Sequence, residues 1–198
     1  MTTTRTPAHK RLRELPEVFT THTLSAMLGV DSKATSVYLN RWRKEGLISS
    51  LGKRAGVHFN LVRNPSAEEE LRLEAISLVF PGAVIAGVSA VHAAGWTTQI
   101  PSALEIMIPP RASAPEIEGV DVATRPVLWF RGAREKPQRT GAVPTVDPAF
   151  ALADLWHRNA WRPDEDDLEW DVIPPTRLRA AFRLFERDIP EEWEEAIR

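Results

Sequence analysis

Residues 24–46 of this 198-residue chain read LSAMLGVDSKATSVYLNRWRKEG, two helical segments hinged on a glycine. Leu24 and Leu28 share one face of the first segment, and Thr21 or Thr23 offers the side-chain oxygen that caps it. Gly29-Val30-Asp31 makes the tight turn, because glycine takes the left-handed conformation that ends a helix at no steric cost. Asp31 or Ser32 caps the second segment, which runs to Glu45 before Gly46 stops it. Within it Thr35, Tyr38, Leu39 and Trp42 recur at steps of three and four and mark the buried stripe. Ser32, Lys33, Ser36, Val37, Asn40 and Arg41 fall largely on the opposite side. The spacing predicts a helix-turn-helix whose second helix shows solvent a polar, basic face.

Upstream, Pro7 to Leu15 has Leu12 and Leu15 at helical spacing, and Pro16 closes that helix. Downstream, Leu47-Ile48-Ser49 and Val57-His58-Phe59 are β-compatible runs around Leu51-Gly52-Lys53-Arg54-Ala55-Gly56, a loop of glycines and two cations. Helix, turn, capped helix and basic hairpin stand in the order of a winged helix-turn-helix over residues 1–64. The chemistry suits duplex DNA. Asn40 can pair bidentately with adenine, Arg41 or Arg43 can take guanine or phosphate, and Ser32 and Ser36 suit phosphate oxygens. Lys33, Lys53 and Arg54 add positive charge, and Val37 lies on the same face. A solvated face is the plainer explanation of any basic helix, and some winged helices bind proteins. Here the turn, the cap and the basic hairpin coincide, which favours DNA.

Charge divides the chain. Residues 1–64 hold 11 Lys/Arg against 4 Asp/Glu, and residues 65–198 hold 14 against 23. A basic module for a polyanion followed by an acidic module is the expectation, with the linker at Arg63-Asn64-Pro65-Ser66. Zero cysteines exclude a disulfide framework and a cysteine nucleophile and fit a reducing compartment. The first twenty residues lack an apolar stretch, so no secretory signal is expected and the cytoplasm is the expected location. Ile76 to Trp96 contains no Asp, Glu, Lys or Arg, yet Pro81-Gly82 breaks it and two short soluble elements explain it better than a membrane span.

The 65–198 half reads as α+β. Ala67 to Phe80 is a predicted helix with Leu71, Ala75 and Leu78 on one side, and Ser89 to Ala94 a short one ended by Gly95. Leu104 to Ile108 alternates like a strand, and Val127 to Phe130 is read as a second. Seven prolines between 109 and 148 predict extended, turn-rich connections there rather than helix. Asp147-Pro148 then opens a helix through His157, and Thr176 to Glu186 and Pro190 to Arg198 supply the last two. His92, with Ser89 three residues before it, is the most tempting catalytic residue, but no carboxylate is near in sequence and a structural role is the better expectation. His157 is read likewise. Asp164-Glu165-Asp166-Asp167 lacks the spaced ligands and central glycine of a calcium loop. Walker, Rossmann, HExxH and GxSxG motifs are missing from the sequence, so neither an enzyme, a cofactor nor a metal is expected.

Two further stretches carry a family resemblance. Ala86-Gly87-Val88-Ser89-Ala90-Val91-His92-Ala93-Ala94-Gly95-Trp96-Thr97, followed by Gln99-Ile100-Pro101 and the Leu104–Ile108 strand, resembles the small-residue helix, turn and strand of the AbiEi-type antitoxins of bacterial type IV toxin–antitoxin systems. Asp147-Pro148-Ala149-Phe150-Ala151-Leu152-Ala153-Asp154-Leu155 is similar to that family's later helix, and Phe19 to Leu61 to its N-terminal domain. The resemblance implies a transcriptional autorepressor that binds repeats near its own operon promoter. It also implies an antitoxin that opposes a nucleotidyltransferase-like toxin without forming a stable complex with it. Two other readings stand beside it. A one-component regulator would sense a small molecule in an apolar pocket around Trp96, Trp129 and Trp156. A nuclease would need carboxylates and a lysine at metal-site geometry, and this half has only Lys136. Finally, residues 164–198 carry 12 Asp/Glu against 5 Arg, an acidic end expected either to oppose DNA binding or simply to be solvated.

Overall fold

The computed structural model describes residues 8–111, 113–135 and 140–197. They form a mixed α+β protein that divides into two compact units, residues 1–81 with 115–118, and residues 82–114 with 119–198. Lys136 lies outside the described residues.

The first unit runs α1 (Ala8–Glu14), β1 (Val18–Thr20), α2 (Thr21–Leu28), α3 (Ser32–Lys44), β2 (Ile48–Ser50), β3 (Val57–Asn60), α4 (Ala67–Glu70) and α5 (Arg72–Val79). Its sheet has the order β1-β3-β2 and is antiparallel throughout, with His58 opposite Phe19 on one side and Ser50 on the other. This is a winged-helix topology: the three helices and the β2–β3 hairpin are those expected from the sequence, and β1 is a third strand that the sequence reading did not include. The cap of α2 is Thr20, one residue earlier than expected; its hydroxyl accepts the Thr23 N–H at 3.0 Å. Gly29 ends α2 at φ 62°, as the turn requires. Leu12, Leu15, Phe19, Leu24, Leu39, Trp42 and Ile48 form the core, with Trp42 fully buried. Asn60, also fully buried, donates to the Leu12 carbonyl at 2.7 Å and ties α1 to the sheet.

The unit does not end at Arg63–Ser66. Those residues form a turn, with Asn64 N–H on the Asn60 carbonyl at 3.1 Å, and α5 then packs on β1 and β3 through buried Ala75 and Ile76. The expected 67–80 helix is broken at Leu71, and of Ala75 and Leu78, expected on one side, Ala75 is buried and Leu78 is 44% exposed. Residues 115–118 complete this unit. Ile117 is buried, and a Cβ at Gly52 would strike the Glu116 carbonyl, so the wing loop needs glycine there.

The second unit holds β4 (Val84–Ile85), α6 (Gly87–Ala93), β5 (Leu104–Ile108), β6 (Val120–Thr124), α7 (Val127–Glu135), α8 (Pro148–His157), α9 (Pro175–Leu184) and α10 (Glu191–Ala196). β5 is central, antiparallel to β4 and parallel to β6. α8 is buried from Pro148 to Leu155 and packs against α6 and α9, which its nearly all-apolar sequence requires. Asp147 caps it as expected, accepting the Ala149 N–H at 2.8 Å. Two expectations are corrected. Val127–Phe130 is not a strand but the start of α7, within the proline-rich stretch, and the strand beside β5 is Val120–Thr124. The two helices expected at the acidic end are present as α9 and α10, and Leu178, Phe182, Trp193 and Ile197 are buried in this core.

Candidate nucleic-acid interface

α3 is fixed at its start by Asp31, whose carboxylate accepts the Ala34 N–H at 2.8 Å. Thr35, Leu39 and Trp42 then turn inward, which leaves Ser32, Lys33, Ser36, Val37, Asn40 and Arg43 exposed on the outer side. Val37 is 65% exposed, an apolar side chain standing among polar ones. The Ser36 hydroxyl donates back to the Ser32 carbonyl at 2.8 Å. Arg41 is only half-exposed: its guanidinium lies 5.6 Å from the Tyr38 ring centre, with Nε 3.6 Å from the Glu45 carboxylate. The structure therefore turns Arg41 aside and brings Arg43 to Asn40, where Nη1 donates to Oδ1 at 3.1 Å.

Arg43 also reaches the wing. Its Nη2 donates to the Ser50 hydroxyl at 3.0 Å, Ser50 Oγ lies 2.9 Å from His58 Nδ1, and His58 Nε2 lies 3.0 Å from Thr21 Oγ1. Thr21 in turn donates to the Gly56 carbonyl at 3.4 Å. Because Arg43 already donates to the Ser50 oxygen, the Ser50 hydroxyl hydrogen turns to His58 Nδ1, and the ring hydrogen then sits on Nε2 facing Thr21. Burial, helped by the Arg43 charge, pushes the His58 imidazole down to about 4, so it is neutral at physiological pH. Lys53 and Arg54 are exposed on the hairpin loop, Arg54 at φ 62°.

Sequence reasoning missed Thr21, Ser50 and His58. All four residues of β3 are buried, so its sequence shows no inside–outside alternation from which to place His58. The charge picture also sharpens. The compact first unit has 12 Lys/Arg against 10 Asp/Glu, because it includes Glu68, Glu69, Glu70 and Glu74 of α4 and α5 and Glu116 and Glu118. The unit as a whole is close to neutral, so the exposed cations Lys33 and Arg43 of α3 and Lys53 and Arg54 of the wing loop matter by their position and not by the net charge of the unit.

The second unit offers less. The Ser89 hydroxyl is used structurally, accepting the Glu105 N–H at 2.9 Å and donating to the Ala103 carbonyl, so it does not pair with His92. Asp154, nearly fully buried, is shared by Arg158 at 2.9 Å, Trp129 Nε1 at 3.0 Å and Arg125 at 3.8 Å. Burial pushes the Glu105 carboxyl above the usual carboxylate range, although the Val88 N–H bond opposes this. A cleft of about 410 Å³ is lined by Phe150, Leu184 and the Asp147–Arg177 ion pair among others. Trp96, Trp129 and Trp156 do not line it; Trp96 is buried, and Trp156 lies edge-on to Trp193 at 4.7 Å within the core. Among the described residues no group of three His, Asp or Glu side chains is placed to hold a metal ion, and no helix is long and apolar enough to cross a membrane.

The first unit thus belongs to the winged-helix class of folds. Neither a protein-family model nor a curated protein matches the chain. Among solved structures it is similar to the Rv2827c protein from Mycobacterium tuberculosis, with a TM-score of 0.60 and 21% identity over 97% of this chain and 76% of that one. At that identity the likeness is one of fold.

Proposed function

We propose that this protein is a sequence-specific duplex-DNA-binding regulator. In the finer reading, which rests on the resemblance of Ala86–Ile108 and Asp147–Leu155 to AbiEi-type antitoxins, it is the antitoxin and autorepressor of a type IV toxin–antitoxin operon in the bacterial cytoplasm. The observation that carries the DNA reading is the bond from Arg43 Nη2 on the exposed outer side of α3 to Ser50 at the base of the wing, with Lys33 and Asn40 exposed on α3 and Lys53 and Arg54 exposed on the wing loop. A recognition helix of this kind enters the major groove, with Asn40 and Arg43 toward base edges, Val37 toward a thymine methyl, and the wing cations on phosphate.

Fluorescence anisotropy with DNA from upstream of the protein's own gene tests the first claim. Tight, salt-sensitive binding to that fragment and weaker binding to random duplex is the expected result; equal affinity for both refutes sequence-specific repression. The antitoxin claim requires a nucleotidyltransferase-like toxin gene beside this one and is tested by expressing that toxin with and without this protein. Growth rescue without co-purification of the two is expected, and no rescue refutes it. The cleft beside Asp147 and Arg177 favours a second reading, a regulator that senses a small molecule. A metabolite that releases the DNA, and does so no longer after Arg177→Ala, would establish that reading instead.

A further inference from the structure

We propose, resting on the DNA-binding reading above, that Asn40 and Arg43 act as one preset element that reads guanine rather than adenine. Ser50 is the positioning residue that sets it. Taken alone, an exposed asparagine on a recognition helix points to adenine, whose N7 accepts from the amide nitrogen while its N6 amino group donates to the amide oxygen. Asn40 is not alone. The guanidinium of Arg43 sits 3.1 Å from its Oδ1. Because a guanidinium only donates, the amide oxygen must face Arg43 and Nδ2 must face away.

The consequence is a nearly all-donor edge. Nδ2 of Asn40 keeps both hydrogens, and Arg43, with one N–H on Asn40 and one on Ser50, keeps the rest of its five. The positive charge lies at the oxygen end of the amide, where the adenine N6 amino group would have to approach. There a donor would meet a cation. Guanine offers two acceptors, N7 and O6, and both match. Arg43 cannot easily swing away to make room for adenine. Its second nitrogen is held 3.0 Å from the Ser50 hydroxyl, and Ser50 is held by the buried His58, which is itself held by Thr21. Holding the side chain before DNA arrives also lowers the ordering cost of binding.

The test uses the full chain. Binding sites are selected from a randomised duplex library, and the preferred site is remade with guanine replaced in turn by adenine and by hypoxanthine. Hypoxanthine keeps N7 and O6 and so should bind as guanine does. Adenine should bind about ten-fold more weakly or worse, the discrimination usual for a matched base contact. Ser50→Ala should reduce the guanine-over-adenine ratio several-fold, and Ser50→Thr, which keeps the hydroxyl, should retain the ratio. A merely structural serine would lower both affinities together. Selection of adenine at the Asn40 contact, or a ratio untouched by Ser50→Ala, overturns the proposal while leaving DNA binding intact. No binding to any duplex overturns the DNA reading itself.

Discussion

Acidification singles out His58. In the folded protein burial and the neighbouring Arg43 charge hold this imidazole at about 4, against 6.5 for a free histidine. Because the folded value is the lower one, the unfolded chain takes up the proton first as pH falls. The stability contributed by keeping His58 neutral is therefore complete above about pH 6.5, is lost progressively between 6.5 and 4, and is gone below 4. At 1.36 kcal/mol per unit the loss is about 3 kcal/mol, a large fraction of the 5–15 kcal/mol that stabilises an ordinary domain. Its structural meaning is plain. A proton on Nδ1 removes the acceptor that Ser50 uses, and places a second cation beside Arg43.

His58→Gln isolates the effect. Glutamine does not titrate, so the variant loses the ring packing against Phe19, 5.4 Å away, by an amount that does not change with pH. Urea unfolding of the full chain is followed through the indole resonance of Trp42, which reports the first unit alone. The stability difference between wild type and variant should shrink by about 3 kcal/mol from pH 7 to pH 4. Other titrating groups cancel in that difference. Parallel pH profiles for the two proteins would show that His58 is not held neutral, and the assigned direction of the hydrogen-bond chain would fall with it.

Removing the wing charges with Lys53→Ala and Arg54→Gly, the glycine chosen because Arg54 sits at φ 62°, should weaken binding to all sequences alike. The salt dependence should flatten by about one unit for each phosphate no longer neutralised, and an unchanged slope in a salt titration would place the wing off the DNA. Gly87→Ala should lower the thermal midpoint of the second unit by the equivalent of at least ~1–3 kcal/mol, since Gly87 has φ 62° and a Cβ there would land on the Glu105 carboxylate. A melting curve like that of wild type would refute both the clash with Glu105 and the strain of a side chain at that φ. If the acidic end opposes DNA, the exposed changes Glu191→Gln, Glu192→Gln and Glu195→Gln, made together, should tighten nonspecific binding at low salt and have no effect at high salt. Deletion after Pro163 is the wrong perturbation, because it removes Phe182 and Trp193 from the core. Unchanged low-salt affinity would leave that end a purely structural role.

What could be read from the sequence is what local physics decides. The α2–turn–α3 unit was legible because Gly29, Asp31 and the Thr35–Leu39–Trp42 stripe each act within one or two helical turns. Leu104–Ile108 was legible because its alternation is local too. Val127-Leu128-Trp129-Phe130 misled for the opposite reason. β-branched and aromatic residues favour strand intrinsically, but a helix lets Phe130 and Ala133 reach the core together while Val127 and Leu128, each 72% exposed, stay outside. The partner of β5 is parallel and follows an irregular connection that includes residues of the other unit, so no hairpin signal announces it. Asn64-Pro65-Ser66 carries turn chemistry that serves equally inside a domain and between two; only the burial of Ala75 and Ile76 decides. The interface follows the same division. Which side of α3 faces outward follows from period alone, whereas the choice of Arg43 over Arg41 as the neighbour of Asn40 depends on Tyr38 and Glu45 on one flank and on Ser50, from β2, on the other. A recognition helix can thus be found from its own residues, but the base it reads is set by the side chains that the rest of the fold leans against it.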